Sequence, residues 1–330
     1  MTTELNATHG CCHHAKARSE PEAVRADVPS YAPAPRAARM DLGEMIGIEG
    51  QQVQLGSDDA MGYPADGEGP ARRVTLSPFR MDATAVTNAQ FAQFVKDTGY
   101  LTDAERFGWS FVFYALVHPK AIQSVQHQSA VALAPWWIPV KGACWHSPDG
   151  PGSLLVERFD HPVVHVSWND ATAFAAWAGK KLPTEAQWEA SARGGLVNAT
   201  YPWGDELTPL GEHRCNIWQG QFPQVNTADD GYLGTAPARS FEPNAYGLYN
   251  MVGNVWEWCA DWWSPSWHIP ENAQTRCDPK GPATGTERVI RGGSYLCHAS
   301  HCHRYRLSAR SFNAPDSSTG HMGFRCCAPQ

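Results

Sequence analysis

From about Gly43 the chain carries short polar–apolar alternations, Val53-Gln54-Leu55 and Arg73-Val74-Thr75-Leu76, the period of strands with one buried face. Helical spacing follows. Thr87 and Gln90 stand as a capping box, Phe91, Phe94 and Val95 recur at i, i+3 and i+4, and Gly99 supplies a left-handed stop. This predicts one amphipathic helix. A second is predicted after Ser167-Trp168-Asn169-Asp170, running through Phe174 and Trp177 to Gly179. Thr184-Glu185-Ala186-Gln187 caps a third, which carries Trp188. Beyond Gly194-Gly195 the pattern breaks, because Gly, Pro, Asn and Trp recur every few residues and no helical period persists. Loops and short strands are expected there. Long loops in a compact domain are usually functional or pinned, so this half should hold bound ions or a binding surface.

Residues 1–40 show no apolar periodicity and are rich in Ala, Pro, Arg and Glu. They read as a disordered tail, with residues 41–330 forming one folded domain. The tail's Cys11-Cys12-His13-His14 cannot all face one ion without a folded frame, so a loose scavenger or an accident of sequence is the reading. Fourteen Trp and ten Tyr imply buried rings with polar handles, or an aromatic groove. With charged residues at 18% and a formal net charge of −7, no basic field exists to attract phosphate backbones, which excludes nucleic acid as an expected partner.

Met1 to Gly10 lacks the cationic start and apolar run of a secretory signal, and no stretch matches a membrane span. A cytoplasmic location is therefore expected. Ten cysteines in such a compartment are more often ligands or catalytic groups than disulfides.

The densest chemistry lies in Arg291-Gly292-Gly293-Ser294-Tyr295-Leu296-Cys297-His298-Ala299-Ser300-His301-Cys302-His303-Arg304-Tyr305-Arg306. Cysteines five apart lie on opposite faces of a strand, and roughly 140° apart on a helix, so Cys297 and Cys302 share a ligand only across a bend. Thiolates select Cu(I), Zn(II) or iron–sulfur clusters. Two alone under-fill tetrahedral zinc but suit two-coordinate Cu(I). His298, His301 and His303 keep a zinc Cys2His2 set open, and a disulfide or two inert buried thiols remain the plain alternatives.

Five segments resemble the formylglycine-generating enzymes, or sulfatase-modifying factors. They are Pro162 to Asp170, Leu182 to Glu189, Asn216 to Gly220, Gly253 to Trp258, and the Arg291 to Arg306 run. The likeness spans about residues 45–328; the first four segments occur more loosely in a wider superfamily, and the fifth is the specific one. The resemblance implies an irregular, loop-rich α+β fold related to C-type lectins. It also implies Cu(I) held by Cys297 and Cys302, Ser294 beside them, and Trp256 lining the oxygen pocket.

The implied reaction uses O2 to convert the cysteine of a Cys-x-Pro-x-Arg segment, in an unfolded or nascent sulfatase, to Cα-formylglycine. Structural Ca²⁺ is implied at Asn216, Ile217, Asp230 and Tyr232, and at Asn250, Gly253, Val255 and Glu257. The plain reading makes Asp229-Asp230-Gly231 an ordinary turn and Glu257 a solvated carboxylate. Ser294 is not a hydrolase nucleophile, since Gly-x-Ser-x-Gly is absent.

Departures from the family pattern matter as well. Family disulfide positions hold Ala176, Ala192 and Leu307, which leaves Cys326 and Cys327 free. His301 replaces a tyrosine common in the family, and Trp109 stands where some members place an acid facing the substrate arginine. A monomer is expected. The rival reading is a non-catalytic paralogue that binds sulfatase peptides, against which retention of both cysteines argues. An iron-dependent sulfoxide synthase ranks last, for want of a helical domain with an iron-binding histidine motif.

Overall fold

The computed structural model describes residues 42–125 and 134–330, so the Cys11-Cys12-His13-His14 cluster lies outside the described residues. Its strands and helices, in chain order, are Met45–Ile48 (β1), Gln51–Leu55 (β2), Arg72–Leu76 (β3), Phe79–Asp82 (β4), Asn88–Thr98 (α1), Asp103–Phe107 (α2), Trp109–Phe113 (β5), Trp137–Lys141 (β6), Trp168–Trp177 (α3) and Glu185–Arg193 (α4). The second half adds Gly220–Gln221 (β7), Val225–Asn226 (β8), Trp256–Trp262 (β9), Ala273–Arg276 (α5), Arg288–Arg291 (β10), Arg310–Asn313 (β11), Met322–Gly323 (β12) and Cys327–Pro329 (β13). The fold is α+β and loop-rich, as expected.

The predicted strands pair with each other: β2 and β3 run antiparallel with Val53 opposite Val74. The predicted helices form where their caps stand. In α1, Thr87 Oγ1 accepts from Gln90 N–H at 3.3 Å and Gln90 Oε1 accepts from Thr87 N–H at 2.9 Å, while Gly99 closes the helix at φ 66°. Its apolar stripe meets that of α3, with the Phe91 and Phe174 rings stacked at 5.9 Å and Phe94 edge-on to Phe174 at 5.6 Å. Helix α3 is capped by Ser167 and ends on Ala178, one residue before the left-handed Gly179. Helix α4 runs from its Thr184 cap to Gly194 and buries Trp188 completely. Helix α2, just five residues long, has its own Thr102/Glu105 capping box and is too short for periodicity to show.

The loop-rich half is organised by a four-stranded sheet in the order β11-β10-β9-β12. Strand β10 lies antiparallel to β9 with Arg291 opposite Glu257, and β12 runs parallel to β9 with Met322 opposite Trp256. The sheet thus delivers the Gly292-Gly293 turn beside Trp256 and Glu257. One apolar core contains Phe91, Phe94, Phe174, Trp177, Trp256 and Trp258 together with Cys297 and Cys302.

Irregular backbone leaves many carbonyls needing donors, and buried arginines supply them. Arg193, Arg291, Arg304 and Arg325 are among the largest fully buried side chains, and each is paired with a carboxylate. Glu257 corrects the plain reading of a solvated carboxylate: it is 2% exposed and bound by Arg325. No helix among the described residues is long and apolar enough to cross a membrane.

Candidate metal centre

Two glycines start the site. Gly292 and Gly293 have φ of 93° and 73°, and a Cβ on Gly292 would stand 2.9 Å from the Met251 carbonyl oxygen, so no side chain is tolerated at that bend. The chain then closes a tight turn. Cys297 N–H donates to Ser294 O at 2.9 Å, Leu296 N–H to Ser294 Oγ at 3.3 Å, and Ser294 N–H points at Cys297 Sγ at 3.4 Å. A second turn follows, in which His301 and Cys302 both donate to His298 O, at 3.0 and 2.8 Å. The result is the bend that the five-residue spacing demanded. Cys297 Sγ and Cys302 Sγ lie 3.0 Å apart, and neither side chain is exposed. They do not form a disulfide, being separated by more than the roughly 2.05 Å of a bonded pair.

The donor set suits a soft ion held by few ligands. Among the described residues, no group of three or more His, Cys, Asp or Glu side chains is arranged to hold a metal. Two of the histidines bond elsewhere, His298 Nδ1 with Ser300 Oγ at 2.9 Å and His303 Nε2 with the Tyr201 hydroxyl at 3.2 Å, while both ring nitrogens of His301 are buried without a hydrogen-bond partner. The His301 ring stacks on Phe222 with centroids 3.6 Å apart. A zinc Cys2His2 set is therefore not assembled, whereas two buried sulfurs facing each other across one bend are the donor type and number that a two-coordinate soft monovalent ion takes, with the sulfurs moving apart to admit it.

Around the sulfurs the walls are apolar. Trp256 is wholly buried in the same core, and its indole N–H has no hydrogen-bond partner. Tyr305 lies close enough that burial first, then neighbouring charges including those of Cys297 and Cys302, push its phenol up and keep it protonated.

The two oxygen-ligand sets differ in how ready they are. Ile217 O and Asp230 Oδ2 converge on the Gln219 side-chain amide, which lies 2.9 Å from Asp230 Oδ2. Asn216 Oδ1, buried, has no partner. Asp230 also accepts the Ile217 and Tyr232 N–H groups at 3.0 and 2.9 Å, and burial raises its carboxyl above the usual range. This is an oxygen-lined corner with one orphaned acceptor, and a hard cation fits its chemistry.

In the second set, Asn250 Oδ1 is likewise orphaned. Gly253 (φ 74°) packs so closely that a Cβ would lie 2.5 Å from Asn216 O, which ties the two sets together. Glu257 already receives Trp188 Nε1–H at 2.7 Å and two Arg325 donors at 2.7 and 2.9 Å, so its charge is largely answered by protein.

Trp109 opens β5, half-buried, with its ring edge-on to Phe111 at 5.0 Å. Spacing gave no hint of Tyr63, Asp66 and Glu68, which reach the cysteine loop from the other end of the chain. Asp66 bonds Arg304 and Glu68 bonds Arg306, both at 2.6 Å.

Fold and site together define a loop-rich α+β domain built around a buried thiol pair. The chain belongs to the family of the sulfatase-modifying factor enzyme 1-like domain, whose profile matches residues 30–329. It is 60% identical over 295 residues to the formylglycine-generating enzyme of Thermomonospora curvata, covering 89% of this chain and 96% of that protein. Over 306 residues it is 56% identical to the enzyme of the same name from Streptomyces coelicolor, covering 92% and 96% of the two chains. Against Bos taurus it is 54% identical to the formylglycine-generating enzyme, covering 86% of this chain and 74% of that protein. The inactive C-alpha-formylglycine-generating enzyme 2 of that species is 44% identical, covering 86% and 87%. Among solved structures, PvdO from Pseudomonas aeruginosa shares the fold with a TM-score of 0.63 at 24% identity, covering 87% and 95% of the two chains.

Proposed function

We propose that this protein is a copper-dependent formylglycine-generating oxidase. Cys297 and Cys302 hold Cu(I), and O2 is consumed in converting the cysteine of a Cys-x-Pro-x-Arg segment of an unfolded sulfatase to Cα-formylglycine. The observation that carries this reading is the pair of buried sulfurs 3.0 Å apart on a bent loop. Support also comes from the identities above, which are higher to active than to inactive relatives from one species.

When bound, Cu(I) supplies one-electron chemistry toward dioxygen, which Zn(II) cannot. The protein's part is to hold, orient and dry the site. Cys297 and Cys302 give two soft donors whose backbone is fixed by the hydrogen bonds of the two turns. Ser294, fully buried, aims its N–H at Cys297 Sγ, a bond that favours the thiolate. Trp256 closes the apolar wall and excludes water. The peptide cysteine gives up one hydrogen from its β-carbon and the one from its thiol, with two electrons, to O2, which is thereby reduced to the peroxide level, and water hydrolyses the resulting thioaldehyde to the aldehyde with release of hydrogen sulfide. We also assign Ca²⁺ to the two oxygen sets, with the Asn216–Asp230 corner as the better preformed.

Aerobic incubation of a Cys-x-Pro-x-Arg peptide with the protein, with and without copper, followed by mass spectrometry, tests the reading. Aldehyde should form only with copper. Cys297→Ser and Cys302→Ser should each abolish both Cu(I) binding and conversion; intact turnover in either variant rules the copper assignment out.

A further inference from the structure

We propose that Tyr63 is a positioning residue for the thiol pair, its hydroxyl fixing Cys302 relative to Cys297 by accepting the His303 N–H at 2.9 Å. This inference rests on the copper reading above. The two sulfurs reach contact from unequal supports. Cys297 is tied to the core on both sides of its peptide, with its carbonyl accepting Trp218 N–H at 3.0 Å and its own N–H bonded to Ser294 O. From His298 to His301 the chain is partly exposed and turns back upon itself. Cys302 N–H is bonded to His298 O within that partly exposed turn, and a contact that joins its peptide to a distant part of the fold comes just after it in the chain.

There the 63–68 turn acts as a brace. Tyr63 OH receives the amide directly following Cys302, and the Arg304 guanidinium lies 4.0 Å over the Tyr63 ring while donating to Asp66 Oδ2 at 2.6 Å. Two residues on, Arg306 grips Glu68 with both terminal nitrogens, at 2.6 and 2.7 Å. The turn is itself rigid. Pro64–Asp66 forms one helical turn closed by left-handed Gly67, Glu68 Oε1 accepts Tyr63 N–H at 3.0 Å, and Arg310 donates to Asp66 O at 3.0 Å. Tyr63 is also near enough to Cys302 for a charge on that sulfur to act on its phenol.

The arginine pairs fix positions 304 and 306, whereas the Tyr63 hydroxyl fixes the peptide next to the ligand. Two sulfurs held in register bind one ion without first being ordered, and loosening one of them returns that ordering to the binding step. Loss of a single hydrogen bond of ordinary worth corresponds to an affinity about threefold to tenfold weaker.

The test uses the full-length protein, wild type, Tyr63→Phe and Ser308→Ala, with anaerobic Cu(I) affinity measured by competition against a chromophoric chelator. Ser308 bonds Glu68 at 3.0 Å on the same brace but away from Cys302, so its variant controls for general loosening. Tyr63→Phe should bind Cu(I) about threefold to tenfold more weakly. It should convert peptide slowly at limiting copper, match wild type at saturating copper, and keep the same peptide KM. Ser308→Ala should bind copper as wild type does. Wild-type affinity in Tyr63→Phe, or equal weakening in Ser308→Ala, overturns the positioning role while leaving the copper reading intact. If wild type itself binds no Cu(I), both fall together.

Discussion

Arg325 and Arg291 are both wholly buried, yet their removal should have unequal consequences because their carboxylates are differently insured. Arg325 bonds both oxygens of Glu257, at 2.7 and 2.9 Å, and also the carbonyls of Asp82, Ala83 and Tyr249. In Arg325→Met, Glu257 would keep only the Trp188 indole N–H as a charge-answering donor. Stranding a buried charge in this way costs about 3–5 kcal/mol, a large share of the roughly 5–15 kcal/mol that holds a domain together.

Arg291 bonds Glu185 at 2.8 Å, Glu189 at 2.7 Å and Leu307 O at 2.7 Å. When it is lost, Glu185 still has Arg310 at 2.6 and 2.8 Å, and Glu189 still has Arg193 at 2.7 Å and Gly56 N–H at 2.7 Å. No carboxylate is abandoned, so Arg291→Met should cost about 2 kcal/mol, near the loss of one charge-assisted hydrogen bond after relaxation. Urea unfolding followed by tryptophan fluorescence and extrapolated linearly gives both values. If Ca²⁺ also joins Glu257, adding it should recover part of the Arg325→Met loss and none of the Arg291→Met loss. Equal costs for the two variants, or the reverse order, would refute the reasoning from shared partners.

Three further outcomes are expected. Asp170 is fully buried, and burial followed by the nearby Asp103 carboxylate pushes its pKa up to about 7. The native state thus holds a proton that the unfolded chain releases near pH 4, and stability falls as pH rises from about 4 to 7 before levelling. Asp170→Asn should flatten this part of the profile, so its urea midpoint relative to wild type should be more favourable at pH 7.5 than at pH 5; an offset independent of pH counts against it. Gly253→Ala, placed at φ 74° with its new Cβ 2.5 Å from Asn216 O, should destabilise by at least about 1–3 kcal/mol and weaken calcium binding, as calorimetry would show. Asp230→Ala should abolish any rise in melting temperature on adding Ca²⁺ if that corner is the stronger site, and an undiminished rise would move the assignment elsewhere.

Helices were the legible part of the fold, because a cap and a stripe are local statements. Thr87, Ser167 and Thr184 each satisfy the first orphan donors of a helix, and the phenylalanines behind two of those caps meet in one core. The sheet order β11-β10-β9-β12 was not legible, since its strands are short and separated by loops whose paths depend on distant partners. Glu257 shows the difficulty. In sequence it is one carboxylate between two tryptophans, and only Arg325, 68 residues away, makes it a buried ion. Arginine pairs of this kind carry no period, so a pattern reading takes them for surface charge.

The cysteine pair was legible as chemistry but not as geometry. Spacing says only that Cys297 and Cys302 cannot meet on regular backbone. The meeting is brought about by features of three kinds. A glycine pair that accepts left-handed φ starts the turn, His298 O accepts two successive amides to complete it, and a turn 240 residues upstream holds the returning strand. The first could be read in the sequence and the second inferred from the need for a bend. The third could not, because the Tyr63 to Glu68 turn lies between β2 and β3, which pack on α4, and meets the loop through contacts more than 200 residues apart in sequence. A site whose two donors lie five residues apart is therefore assembled by long-range structure, and mutations near residue 63 should bear on the sulfurs as directly as mutations within the loop.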